Sequence, residues 1–77
     1  MNQEQLGSII QRRRKTLALD QRSLAEIAGL SAHSVSDIES GKGNPTLAVL
    51  NQLATALGLD VQLVVRSTDY REKESLP

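Results

Sequence analysis

The stretch QRSLAEIAGLSAHSVSDIESGKG, from Gln21 to Gly43, constrains the fold of this chain more than any other. Two short runs with helical periodicity are parted by only Gly29, Leu30 and Ser31. In the first run Leu24, Ala25, Ile27 and Ala28 supply an apolar side, and Asp20 is placed to cap its start. Gly29 stops it, because glycine takes the left-handed conformation that follows a helix without steric cost. Ser31 is then a natural cap for a second run, Ala32 to Ser40.

The flanking segments are punctuated in the same way. Residues 3–18 read as a helix, with Leu6, Ile9, Ile10 and Leu17 on one face. The run Arg12 to Lys15 lies near its C-terminal end, where positive charge suits the helix dipole. GKGNP, Gly41 to Pro45, carries turn chemistry. A fourth helix follows in TLAVLNQLATALG, with Leu47, Leu50, Leu53, Ala54 and Leu57 at helical spacing, and Gly58 ends it. The period then changes to two. Val61, Leu63 and Val65 alternate with Gln62, Val64 and Arg66, which predicts a strand over 60–66. Residues 67–77 are polar and aperiodic, the pattern of a disordered tail.

Composition narrows the options. The 77 residues allow one small domain. Cysteine is absent and His33 is the single histidine, so disulfides and thiolate sites are excluded, and neither a metal nor a cofactor is expected. Tyr70 is the one aromatic residue, which leaves Leu, Ile, Val and Ala to build the core. Nine Lys/Arg balance nine Asp/Glu. That argues against indiscriminate polyanion binding but allows a local basic patch. The N-terminus lacks the pattern of a signal peptide, and no segment approaches the ~20 apolar residues that cross a bilayer, so a soluble, cytoplasmic chain is expected.

Ser34, His33 and Asp37 are the residue types of a hydrolase centre, yet their spacing opposes that reading. At 100° per residue, Val35 and Ile38 point inward while His33, Ser36, Asp37 and Ser40 share the opposite side. Ser34 projects away from His33, since neighbours on a helix do not face each other. An exposed helix also offers no oxyanion hole and no pocket that excludes water. Two short helices joined around a glycine instead form the helix-turn-helix pattern, whose second helix lies in the DNA major groove. The polar face is then a reading face, with a merely solvated face as the plain alternative.

QRSLAEIAGLSAHSVSDIESGKGNPTLAVLNQLATALGL, with IIQRRRKTLAL upstream, resembles the Xre-like helix-turn-helix family, the class of Cro and the lambdoid phage repressors. Gln21, Leu24-Ala25, Ala28-Gly29, Ile38-Glu39, Gly41, Lys42, Pro45, Leu50 and Leu53 carry the resemblance over roughly residues 6 to 59. It implies an all-α, lambda-repressor-like domain of four to five helices. It also implies base readout by Ser31, Ala32, His33, Ser36 and Asp37. His33 would donate to guanine or a phosphate, Asp37 would accept from a cytosine amino group or merely orient His33, and Ala32 would meet a thymine methyl. Phosphates would be held by Gln21, Ser34, Lys42 and Asn44, although a local backbone bond is an equal use of Ser34. Gly41 and Gly43 would let the backbone approach the DNA. Arg14 and Glu39 match a structural salt bridge between the first and third helices, while Arg12, Arg13 and Lys15 read as a solvated face.

The lone strand needs a partner for its backbone groups, and the chain has no second one. Pairing with the same strand of a second copy is the economical answer, burying Val61, Leu63 and Val65 in a homodimer. Two reading helices would then lie ~34 Å apart on palindromic double-stranded DNA. The expected organisation is a DNA-binding domain over 1–59, a dimerising strand over 60–66 and a tail over 67–77. Such an arrangement is similar to the HipB-type antitoxins, and that resemblance implies autoregulation and a HipA-like serine/threonine kinase toxin as partner. The rivals are a stand-alone repressor and a protein-interaction module with little DNA affinity.

Overall fold

A computed structural model of the protein describes residues 1–66. It contains four helices: α1 (Gln3–Thr16), α2 (Gln21–Ala28), α3 (Ala32–Glu39) and α4 (Leu47–Leu57). Each starts on a short polar side chain that accepts a bond from an amide left unpaired in the first turn. Asn2 accepts from the Gln5 amide, and the Gln5 side chain answers on the Asn2 amide. Asp20 accepts from Ser23, Ser31 from Ser34 and Thr46 from Val49.

The helix ends share one device as well. A residue with positive φ follows each helix, and two backbone bonds close on the final turn. After α2 the residue is Gly29 at φ 74°, with Gly29 N–H donating to Glu26 and Leu30 N–H to Ala25. Gly58 closes α4 in the same way, with Leu59 donating to Ala54. Gly41 closes α3, where Lys42 donates to Asp37. After α1 the residue is Ala18, at φ 57°, and Leu19 donates to Arg14. Leu19, Leu30 and Leu59 each turn back to become partly buried, whereas Lys42 after α3 stays exposed.

The core is aliphatic. Leu24, Val35, Leu53 and Leu57 are fully buried, with Ile10, Ala25, Ala28, Ile38 and Ala54 around them. Burying each of the larger side chains contributes roughly 1.5–3 kcal/mol. α2 packs on α3 and α4, and α1 lies across α3 and α4. Gly7 sets how close α1 comes: a Cβ there would meet the Ile38 carbonyl oxygen, and would stand 2.6 Å from that of Glu39. The end of α3 is thus pressed against a gap in the side chains of α1.

Several expectations are corrected. α1 stops at Thr16 rather than at residue 18, because Ala18 leaves helical φ. Ile9, Leu17, Ile27 and Leu47, expected on apolar faces, are exposed. No strand is present among the described residues, so residues 60–66 of one chain make no ladder by themselves. A single extended segment has no ladder to join, and Val61, Leu63 and Val65 stand exposed on it. The fourth helix is the last among the described residues, and the expected tail over 67–77 lies outside them. No helix among the described residues is long and apolar enough to cross a membrane.

Gly7 provides a test of the packing. In an open helix Gly→Ala adds roughly 1 kcal/mol of stability. Here Gly7→Ala is expected to cost about 1–3 kcal/mol through overpacking, read as a lower urea midpoint. A rise in midpoint would contradict the close approach.

Candidate nucleic-acid interface

α3 is held by its inner side and displays its outer side. Val35 and Ile38 are buried against the other helices, while Ala32, His33 and Ser40 are exposed and Ser36 and Asp37 half-buried. His33 Nε2 lies 3.2 Å from Asp37 Oδ2, one turn along the helix. Ser31 and Ser34 are tied together at the helix start: the Ser34 amide donates to Ser31 Oγ and Ser31 Oγ donates to Ser34 Oγ. Ser40 Oγ donates to the Asp37 carbonyl. Beyond the helix, Lys42, Gly43 and Asn44 form an exposed loop.

What fixes this helix is a buried polar cluster at its far end. Arg14 of α1 grips Glu39 through two nitrogens, Nε to Oε2 at 2.6 Å and Nη2 to Oε1 at 2.9 Å. Its third nitrogen donates to the Leu19 carbonyl at 2.7 Å. Gln21, at the start of α2, donates its amide to Glu39 Oε1 at 3.2 Å. The hydrogen bond from Arg14 to Glu39 raises the guanidinium pKa above its already high value, against the opposing effect of burial. Among the described residues no buried side-chain polar atom lacks a partner. The cluster therefore meets the condition for keeping charge inside a protein.

Asp20 completes the start of α2. Its carboxyl is held below the usual range mainly by the bonds from Ser23, with help from the positive charges of Arg22 and Arg14. Arg13 also has a partner, donating from Nε to the Leu57 carbonyl at 2.9 Å. It thereby closes the C-terminal end of α4.

This arrangement of α2, a glycine turn and α3 can be set against known proteins. The HTH_3 helix-turn-helix family model matches residues 10–64. The chain belongs to this helix-turn-helix family. It is similar to the immunity repressor protein of Bacillus phage phi105, at 42% identity over 90% of this chain and 54% of the repressor. It is also similar to the ImmF control region 10 kDa protein of the same phage, at 32% identity over 92% of this chain and 78% of that protein. The chain thus spans about half of one curated relative and most of the other. Among solved structures, the restriction-modification controller protein C.AhdI of Aeromonas hydrophila superimposes with TM-score 0.73 at 31% identity, covering 75% of this chain and 84% of the controller.

Within the helix-turn-helix motif, the structure brings most of the sequence candidates onto one surface. Ser31, Ala32, His33, Ser36 and Asp37 line the outer side of α3 or its cap, and Lys42 and Asn44 follow in the next loop. Ser34 is half-buried, with its hydroxyl already engaged by Ser31. Gln21 is drawn toward Glu39, a contact that the sequence does not announce. The Ser/His/Asp cluster is not assembled as a relay, because His33 meets Asp37 while Ser34 meets Ser31. Arg13, read as part of a solvated face, is a structural residue. Its only signal was its place beside Arg14 on α1.

Two outcomes test this site. Arg14→Met strands Glu39, whose side chain is 2% exposed, and is expected to cost about 3–5 kcal/mol in urea unfolding. Adding Glu39→Leu should recover much of that loss, whereas additive losses would contradict the pairing. For Asp20 the sign follows from its depressed pKa. The ionised cap stabilises the fold above the ordinary carboxylate range, and that stability is lost as pH falls through the lower folded value. Asp20→Asn should therefore lose less stability than the parent between about pH 6 and about pH 3. Parallel pH profiles would contradict the assignment.

Proposed function

We propose that the protein is a sequence-specific, DNA-binding transcriptional repressor acting as a homodimer on a palindromic site. The observation that carries this reading is the outer side of α3, a polar surface backed by a rigid core and by the Arg14–Glu39 cluster. Rigid presentation matters because base readout needs donors and acceptors held against the major-groove edges. Ala32, His33, Ser36 and Asp37, with Ser31 at the cap, are the residues assigned to bases. Lys42 and Asn44 are assigned to phosphates, with Ser34 beside them. Gln21 spends one amide hydrogen on Glu39. Its second is free for a phosphate oxygen, so the same side chain can tie the buried cluster to the DNA backbone.

The homodimer is supported by apolar surface. Leu6, Ile9, Ile10, Leu50, Leu59 and Leu63 border a groove of about 420 Å³ between α1, α4 and the segment after Gly58. Val61 lines it as well, and Val64 and Val65 extend beyond it, exposed. Pairing of residues 60–66 with those of a second copy would give their amides a ladder and cover these side chains. A stand-alone repressor is favoured over an antitoxin. The phage and controller relatives carry repressor and controller names, and the HipA-like kinase partner rests on the HipB-type resemblance alone.

The reading is tested by recovering host DNA fragments bound to the full chain and sequencing them. The expected result is a shared palindrome with half-sites one helical turn apart. Lys42→Ala should lower the slope of log affinity against log salt by about one, on specific and random duplexes alike. Fragments with no shared sequence, or affinity that ignores salt, would overturn the proposal. They would favour the protein-interaction module.

A further inference from the structure

The backbone of residues 60–66 is unpaired. The last backbone bond after α4 runs from Leu59 to Ala54, and none engages Asp60 to Arg66 among the described residues. Their side chains are all exposed, yet Val61 and Leu63 line the groove against α1 and α4. The segment DVQLVVR begins on a carboxylate and ends on a guanidinium. Neither Asp60 nor Arg66 makes an ion pair among the described residues.

A two-fold axis turns this pattern into a register. In an isologous contact, residue i meets j of the second copy while j meets i. Directly opposed residues of an antiparallel pair lie on the same face of the sheet. Val61, Leu63 and Val65 therefore stay together on one face only if odd positions oppose odd ones. A slip of one residue would set Asp60 and Gln62 among them. An axis at Leu63 sets Asp60 opposite Arg66, Val61 opposite Val65, Gln62 opposite Val64 and Leu63 opposite itself. An axis at Gln62 would instead face Asp60 with Val64, and Arg66 with Gly58, the left-handed residue that closes α4. An axis at Val64 would face Arg66 with Gln62, and a parallel pairing would bring like charges together. Opposite charges in opposed positions stabilise a strand pair, and like charges destabilise it.

We propose that residues 60–66 are a self-complementary interaction surface whose partner is a second copy of this chain. The two segments run antiparallel about Leu63, with Asp60 of each copy against Arg66 of the other. Val65 and Leu63 of the second copy then lie beside Val61 and Leu63 along each groove. This inference rests on the reading of the protein as a homodimer and adds which residues meet.

The experiment is native mass spectrometry, over a concentration series, of the full chain and of Asp60→Arg and Arg66→Asp. The parent should be a dimer. Each variant alone sets like charges opposite each other at both ends, and its dimer should weaken roughly tenfold or more. An equal mixture restores both ion pairs, so a one-to-one heterodimer should form as tightly as the parent dimer. A chain carrying both substitutions should also recover its homodimer. Because the protein has no cysteine, Leu63→Cys should cross-link to itself on mild oxidation, since opposed Cα atoms lie ~4.5–5.5 Å apart. Val61→Cys should cross-link only when mixed with Val65→Cys. A parent dimer that both reversals leave unchanged would overturn this pairing and leave a dimeric repressor intact. A parent that stays monomeric at every concentration would overturn the pairing and the homodimer together.

Discussion

Arg14 and Glu39 meet where α1, α2 and α3 converge, and the placement of α3 depends on that pair. A domain with no aromatic side chain in its described core fixes its helices with Leu, Ile, Val and Ala, whose contacts are non-directional. The guanidinium supplies direction. It holds both carboxylate oxygens of Glu39 and the Leu19 carbonyl, so the rotation of α3 is tied to the end of α1 and to the following turn. Gln21 adds α2 to the same carboxylate. Removing one partner would leave the other buried, so the pair is far more costly to break than its small net gain suggests.

Gly7 works with this pair from the other side. The bare backbone of α1 at that position lets the C-terminal end of α3 approach closely enough for Arg14 to reach Glu39. The four helix closures differ in the side chain they deliver. After α1, α2 and α4 a leucine turns back to become partly buried, but after α3 the same position carries Lys42, which remains in solvent. One repeated backbone device thus seals three helix ends and leaves a cation at the fourth. That cation lies beside the polar side of α3, where a phosphate contact would be useful.

The features legible in the sequence were local. The caps Asp20 and Ser31 and the stops at Gly29 and Gly58 follow from residue type and position, and each appears where expected. The polar outer side of α3 follows from helical spacing, and Arg14 with Glu39 from the resemblance of the chain to its family. The rest depends on residues distant in sequence. Nothing near Gly7 says that a carbonyl will lie against it, and nothing near Arg13 says that it will close α4. The left-handed turn at Ala18 is not legible in the sequence, because alanine is not the residue that chemistry prefers at positive φ. The alternation over 60–66 was real, but a strand is a property of two segments, and one copy of the chain supplies only one.

The outer side of α3 is nearly neutral, so under the proposed function affinity would come from a few phosphate contacts and from doubling them in a dimer, with selectivity left to small polar side chains. The measurement to make is the change in backbone amide NMR signals as a DNA duplex carrying the recovered site is titrated into the full chain. If the outer side of α3 faces the DNA, the largest shifts fall at Ser31 to Asp37 and at Lys42 to Asn44, with a smaller effect at Gln21. Shifts confined to the α1–α4 groove, or no change at α3, would contradict it.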